Sequence, residues 1–208
     1  MHTLLVAANA DPKSLTHHVL GELEAALHPG SVEVADLSAE GFDPRFGPAD
    51  RQSYAAGAQA TYSAEIAAEH RRLERATDLV LVFPAYWWSM PALLKGWIDR
   101  VFINGWAFDH SATAGLQPKL QALTTHLLPI AGDDAALWER HGYMTAFKTQ
   151  IEHGIIDYAG SPRGATAFVH EAEQDSAEAT AQNVARAVRT ISEAIRARSS
   201  DSASALTS

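Results

Sequence analysis

Residues 79–108 read LVLVFPAYWWSMPALLKGWIDRVFINGWAF, and their order decides the fold. Positions 79–83 are apolar without alternation, the pattern of a strand buried on both faces. Pro84 ends that run, and an aromatic loop follows, Ala85-Tyr86-Trp87-Trp88. A helix then begins near Ser89, with Pro91 in its first turn, where a missing N–H costs little. Leu93, Leu94, Trp97, Ile98, Val101 and Phe102 repeat on one face at helical spacing over 91–103. A buried strand, a loop and an amphipathic helix make a βα unit of a parallel sheet. In open sheets of this kind ligands bind at the carboxyl ends of the strands. Two adjacent tryptophans in that loop suit a flat conjugated ligand. Trp97, inside the helix stripe, reads as core.

Working outward, 3–8 reads as a first strand leading into Asn9-Ala10-Asp11-Pro12-Lys13. Ser14 can cap a helix to Leu27, whose Leu15, Val19, Leu23 and Leu27 recur every fourth residue. Pro29-Gly30 stops it, and 32–34 is a short second strand. Segment 36–57, rich in Gly, Pro and Asp, is expected to wander over the surface. A helix over 61–75 feeds the strand at 79. Beyond 108, the expectations are a fourth strand at 119–125, helix within 133–152, a fifth strand at 166–169 and an amphipathic helix over 178–198. Strands alternating with helices predict one α/β domain over 1–198, a parallel sheet with helices on both faces. The Ser- and Ala-rich tail 199–208 reads as disordered.

Composition narrows the function. The formal net charge of −9 leaves no basic tract to neutralise a nucleic-acid backbone. With no cysteine there is no disulfide, thiolate metal site or cysteine nucleophile. No stretch approaches the roughly 18 apolar residues of a membrane span. The first ten residues lack the basic start and the length of a secretory signal, so a cytoplasmic location is expected. No Walker pattern, G-x-G-x-x-G or G-x-S-x-G occurs, and the adjacent His17 and His18 lack a third metal ligand. The helix start at Ser14, with Lys13 and Thr16, is either an ordinary capped helix or an anion site made by free N–H groups and the helix dipole.

Pro84, Trp87, Trp88, Pro91, the run Leu94-Lys95-Gly96-Trp97 and the turn Gly105-Trp106-Ala107-Phe108 resemble the signature of the flavodoxin-like NAD(P)H:quinone oxidoreductases. That family takes in proteins of the DT-diaphorase, modulator of drug activity B and potassium-efflux ancillary types. The resemblance implies a flavodoxin-like sheet of five parallel strands in the order 2-1-3-4-5. It implies a flavin, FMN or FAD, with NAD(P)H as co-substrate and a quinone or similar small electrophile as acceptor, turned over by a ping-pong mechanism. Azo- or nitro-compound reduction, and a regulatory role on a potassium efflux system, stand as alternatives. It implies a homodimer without nucleic-acid partners or membrane insertion.

Carried over residue by residue, Asn9, Ser14, Leu15 and Thr16 match the loop that holds the flavin phosphate. Pro84, Ala85, Tyr86, Trp87 and Trp88 match the loop around its ring. Thr124 and Thr125 match a Thr-Thr pair that the family follows with two glycines, replaced here by His126 and Leu127. His141, in His141-Gly142-Tyr143-Met144, matches a histidine that accommodates charge on reduced flavin. Its partner tyrosine is missing, because the expected place falls within 135–138. Trp106, Phe108 and His110 match a turn that closes the substrate pocket of the other subunit.

Overall fold

The structure is a computed structural model that describes residues 1–111, 113, 115–173 and 176–205. In chain order the elements are β1 (His2–Ala7), α1 (Leu15–Leu27), β2 (Ser31–Asp36), α2 (Pro48–Ala56), α3 (Ala64–Arg75), β3 (Asp78–Pro84) and α4 (Ala92–Val101). There follow β4 (Phe108–Ser111), β5 (Gly115–Pro118), β6 (Thr124–Ile130), α5 (Ala135–Arg140), α6 (Tyr143–Phe147), a π-helix (Lys148–Asp157), β7 (Arg163–Thr166) and α7 (Ala177–Ala205). The main sheet runs β2-β1-β3-β6-β7 with every pairing parallel, the expected 2-1-3-4-5 order. β3 is buried at all seven positions, as expected for the apolar run 79–83 it contains.

Helices cover both faces. Val19, Leu20 and Leu23 of α1 meet Val184, Val188 and Ile191 of α7 over Leu5, Val80 and Leu128. On the opposite face Ile66, Leu73, Leu94, Trp97, Trp138 and Phe147 pack on Leu4, Leu79 and Leu81. Trp97 is fully buried, and its indole N–H donates to Glu69 at 2.9 Å. Desolvation raises the Glu69 carboxyl above its ordinary pKa, against the hydrogen bond from Trp97 and the charge of Arg72.

Four expectations need correction. The segment 36–57 does not wander: it carries α2 and is tied down by Arg100. Arg100 reaches the Asp43 carbonyl, Asp50 at 3.2 Å and Glu65 at 2.8 Å, and lies over the Phe42 ring. Gly96 permits the close approach, since a Cβ there would stand 2.2 Å from the Pro44 carbonyl oxygen. The fourth strand of the sheet is Thr124–Ile130 rather than 119–125, and the fifth is Arg163–Thr166 rather than 166–169. A hairpin, β4 with β5, precedes it and was not foreseen. The tail expected to be disordered from Ser199 is helical to Ala205, because α7 runs on through Arg198, whose side chain is tied to buried Asp78 at 3.1 Å. Residues 206–208 lie outside the described residues.

Candidate active site

The carboxyl ends of β1, β3 and β6 carry the loops that define the site. The β1 loop leaves beside the β3 loop, with the Ala8 N–H bonded to the Val82 carbonyl at 3.3 Å. Asn9 organises it: Oδ1 accepts from the Asp11 N–H at 3.0 Å, and Nδ2 donates to Thr16 Oγ1 at 3.0 Å. Ser14 caps α1, taking the His17 N–H. The N–H groups of Leu15 and Thr16 bond to no acceptor among the described residues, as the first turn of a helix requires. They are donors ready for an anion.

The β3 loop is held under strain. Trp87 and Trp88 have φ of 49° and 59°, in the left-handed region that side chains avoid. Consecutive residues of this kind persist where the surroundings fix them, and they cluster at functional sites. Trp87 is 84% exposed. Trp88 stacks on Tyr143 at 4.0 Å between ring centres, and Tyr143 in turn lies against His141 at 5.6 Å. A tyrosine therefore does stand beside His141, supplied by position 143 rather than 135–138. The His141 side chain is exposed and makes no hydrogen bond among the described residues.

Between the β3 and β6 loops lies a cavity of about 470 Å³ lined by Ala85, Trp87, Trp88, Gly132, Asp133, Trp138 and Glu173. Trp138 is 1% exposed, and its indole N–H has no hydrogen-bond partner. Its ring neighbours include Phe147, Phe168 and Tyr143, packed edge to face. An unpaired buried donor carries a desolvation penalty, so it marks a place where a partner is missing.

The structure does not bring every candidate together. Asn9, Ser14, Leu15, Thr16, Pro84, Ala85, Tyr86, Trp87 and Trp88 gather at the carboxyl end. Thr124 and Thr125 do not. They open β6 opposite Asp78 and Leu79, whereas the site end of that strand is Ile130 opposite Pro84. They are 1% and 2% exposed, and Thr125 is bonded to Ser161 at 2.7 Å. The loop that takes their assigned place is 131–134, with Gly132 and Asp133 on the cavity. Its signal was present in Ala131-Gly132-Asp133-Asp134, but Pro129 obscures a central strand in sequence. Within the sheet Pro129 offers only its carbonyl, which takes the Val169 N–H at 2.9 Å.

Trp106 is also engaged elsewhere. It stacks on His70 at 4.1 Å, donates to Glu74 at 3.1 Å and lines a cavity with Leu73, Leu120 and Leu123 at the amino end of the sheet. It anchors its own chain and would have to leave both partners to reach a second subunit. Phe108 is 8% exposed and packs on Tyr158, while His110 sits in β4 with its N–H on Asn104. Trp138, Tyr143, Gly132 and the cavity carboxylates were not foreseen.

A parallel sheet in this order, with ligand-competent loops at the carboxyl ends of its strands, defines a flavodoxin-like fold. Residues 1–195 match the family model Flavodoxin_2, described as flavodoxin-like fold, and the chain belongs to that family. It is 28% identical over 179 residues to ribosyldihydronicotinamide dehydrogenase [quinone] of Pongo abelii, covering 76% of each chain. It is 28% identical over 176 residues to NAD(P)H dehydrogenase [quinone] 1 of Rattus norvegicus, covering 76% of this chain and 64% of that protein. The solved NAD(P)H:quinone oxidoreductase of Methanothermobacter marburgensis superposes with a TM-score of 0.81 at 23% identity, over 91% of this chain and 94% of that one.

Proposed function

We propose that the protein is a flavin-dependent oxidoreductase that passes two electrons from NAD(P)H to a quinone or similar planar electrophile. The observation that carries this reading is the cavity at the ends of β3 and β6, walled by Trp87 and Trp88 and lined also by Trp138, whose buried indole N–H is unpaired. The donor set fits a flavin. Flat aromatic walls match a conjugated ring, whose carbonyl oxygens and ring nitrogens could receive the Trp138 N–H. The free N–H groups of Leu15 and Thr16, with Ser14 and Lys13, match a phosphate. Kinship with quinone dehydrogenases supports the acceptor class.

Bound there, a flavin would supply hydride acceptance and donation; the protein supplies position and electrostatics. Asn9 and Ser14 hold the phosphate loop in shape. Trp88, fixed by Tyr143, sets the floor of the cavity, and Trp87 closes its rim. Nicotinamide and acceptor would use one open cavity in turn, which gives ping-pong turnover. His141, at the outer end of the Trp88–Tyr143 stack, is the residue placed to meet charge on the reduced cofactor.

The surface around Phe108 leaves Phe46, Tyr54 and Tyr158 exposed at 44%, 44% and 41% beside an apolar cavity of about 320 Å³. A patch of that kind supports a dimer. The deciding experiment is cofactor release: purified protein should yield close to one flavin per chain by mass, and should oxidise NAD(P)H with a quinone. Colourless protein that neither FMN nor FAD reconstitutes would end the reading.

A further inference from the structure

We propose that the cavity at the ends of β3 and β6 takes planar organic cations as electron acceptors, in preference to anions of the same shape. The inference rests on the flavin reading above and names the substrate class of that site. Three tryptophans and two carboxylates, Asp133 and Glu173, make up most of the lining, and among the described residues no Lys, Arg or His takes part in it. An aromatic ring attracts a cation through the negative face of its π-system, and a carboxylate attracts it directly. Such walls stack on any flat ring but oppose a negative one. Trp138, 1% exposed with its N–H unpaired, marks this cavity as a ligand site independently of the acidic pair.

The fold puts the charge there. The loop after β7 is laid along the loop after β6: the Ala172 N–H donates to the Ala131 carbonyl at 3.0 Å, and the Glu171 N–H to the Asp133 carbonyl at 3.1 Å. Glu173 then reaches back over Gly132, where a Cβ would stand 3.1 Å from its Cδ and 3.3 Å from its Oε2. Glycine at 132 thus leaves room for the carboxylate at the cavity wall. That carboxylate has no hydrogen bond or ion pair among the described residues. His170 of the same loop meets the Asp133 carbonyl through Nδ1 at 3.1 Å and stacks on Phe168. Among the described residues no group of three His, Asp or Glu is placed to hold a metal ion, so the Glu173 charge is left for an organic ligand. At the mouth Trp87, 84% exposed and set at 67° to Trp88, offers it ring surface.

A cation also suits the electron count. The C4–H bond of the dihydronicotinamide breaks, and its hydride, two electrons and one proton, is passed on by way of the cofactor. One C–H or N–H bond forms on the acceptor ring, which becomes neutral, and NAD(P)H leaves as NAD(P)+ with no proton drawn from water. The charge that held the substrate is absent from the product, so these walls hold substrate more tightly than product. At longer range the net charge of −9 draws cations toward the molecule and repels anions.

The test compares two flat bicyclic probes of opposite charge, N-methylquinolinium and naphthalene-2-sulfonate, by equilibrium dialysis against flavin-loaded full-length protein without NAD(P)H. The cation should bind about tenfold more tightly than the anion or better, and added salt should shrink the gap. Glu173→Gln keeps the shape and removes the charge, so it should narrow the gap several-fold, weakening the cation and strengthening the anion. Trp87→Leu should weaken both probes, the cation more. In turnover, the ratio of kcat/KM for a phenothiazinium dye to that for a sulfonated naphthoquinone should fall in Glu173→Gln, with flavin content unchanged. Equal binding of the two probes, or a preference that Glu173→Gln leaves intact, would overturn the inference and leave the flavin reading standing. Protein that binds no flavin would overturn both.

Discussion

The two ends of the parallel sheet solve opposite problems. At the amino end the buried charges are paired. Asp78 and His126 are both fully buried at 3.2 Å, Arg198 reaches the same carboxylate, and the Ala165 N–H fills His126 Nδ1 at 2.9 Å. Gly164 makes room for that ring, since a Cβ there would stand 2.3 Å from it. At the carboxyl end the loops carry strained tryptophans, unpaired helix N–H groups and an orphaned indole N–H. At one end the fold itself pairs the buried charges; at the other, donors stand open for something that binds. The difference separates stability from function in ways that substitutions can read.

The largest effect should come from the closed end. Asp78→Ala leaves Arg198 and His126 facing an empty buried site and should cost about 3–5 kcal/mol of stability. Flavin affinity of the protein that remains folded should be unaltered; an affinity loss matching the stability loss would mean the ends are coupled. The same carboxylate predicts acid sensitivity. Burial opposes its ionisation, but hydrogen bonds from His126 and Thr77 and the charge of Arg198 outweigh it, so the Asp78 pKa lies below its ordinary value. The stability it contributes is present above the unfolded carboxyl value of about 3.9 and fades as pH falls below it.

 Next come Trp88 and Trp97 of the same βα unit, one in its loop and one in its helix. Trp97→Ala empties a fully buried site and should cost about 3–5 kcal/mol in thermal or denaturant unfolding, with little change in flavin affinity per folded molecule. Trp88→Ala should cost less stability and weaken flavin more. Equal flavin affinity in the two variants would erase the distinction between wall and core.

Two of the three orphaned buried polar atoms among the described residues give a finer comparison. Trp138→Phe and Thr124→Val each remove an unsatisfied polar group, at opposite ends of the sheet. Each should leave the flavin-free protein as stable as before or more so, by up to about 1 kcal/mol. Only Trp138→Phe should weaken flavin binding, and the Trp138 indole N–H resonance should move when flavin is added. A loss of flavin from Thr124→Val would restore that residue to the site.

The smallest effect is a pH dependence at His70. Burial pushes its pKa down, against its bond to the Val101 carbonyl and the charge of Glu74. The unfolded chain therefore takes up a proton first as pH falls below about 6.5, and stability declines from there toward the lower folded value. Melting curves between neutral and mildly acid pH should show the decline in wild type and less of it in His70→Gln.

Much of this was legible in the chain. The unbroken apolar run of β3 and the spacing of Leu94, Trp97 and Val101 specify a buried strand and a packed helix, because those periods are local and strong. The Ser14 cap was equally plain. What failed were assignments that depend on register. Thr124-Thr125 matched a motif by composition, yet the strand they open runs on six more residues from Thr124 before it reaches the site. Trp106 looked like a spare aromatic because its partners, His70 and Glu74, lie far back in the sequence.

The sequence by itself determined the alternation of strand and helix, the aromatic loop and the anion-ready helix start, since each follows from hydrophobic period, capping chemistry and backbone preference within a few residues. Only the tertiary structure decided which loops share a cavity, which end of β6 faces it, and that Trp138, its N–H unpaired, lines it together with Asp133 and Glu173. Those facts depend on how distant segments align across the sheet, and a shift of one strand by a few residues would move each group to another end of the molecule with hardly any change in local pattern.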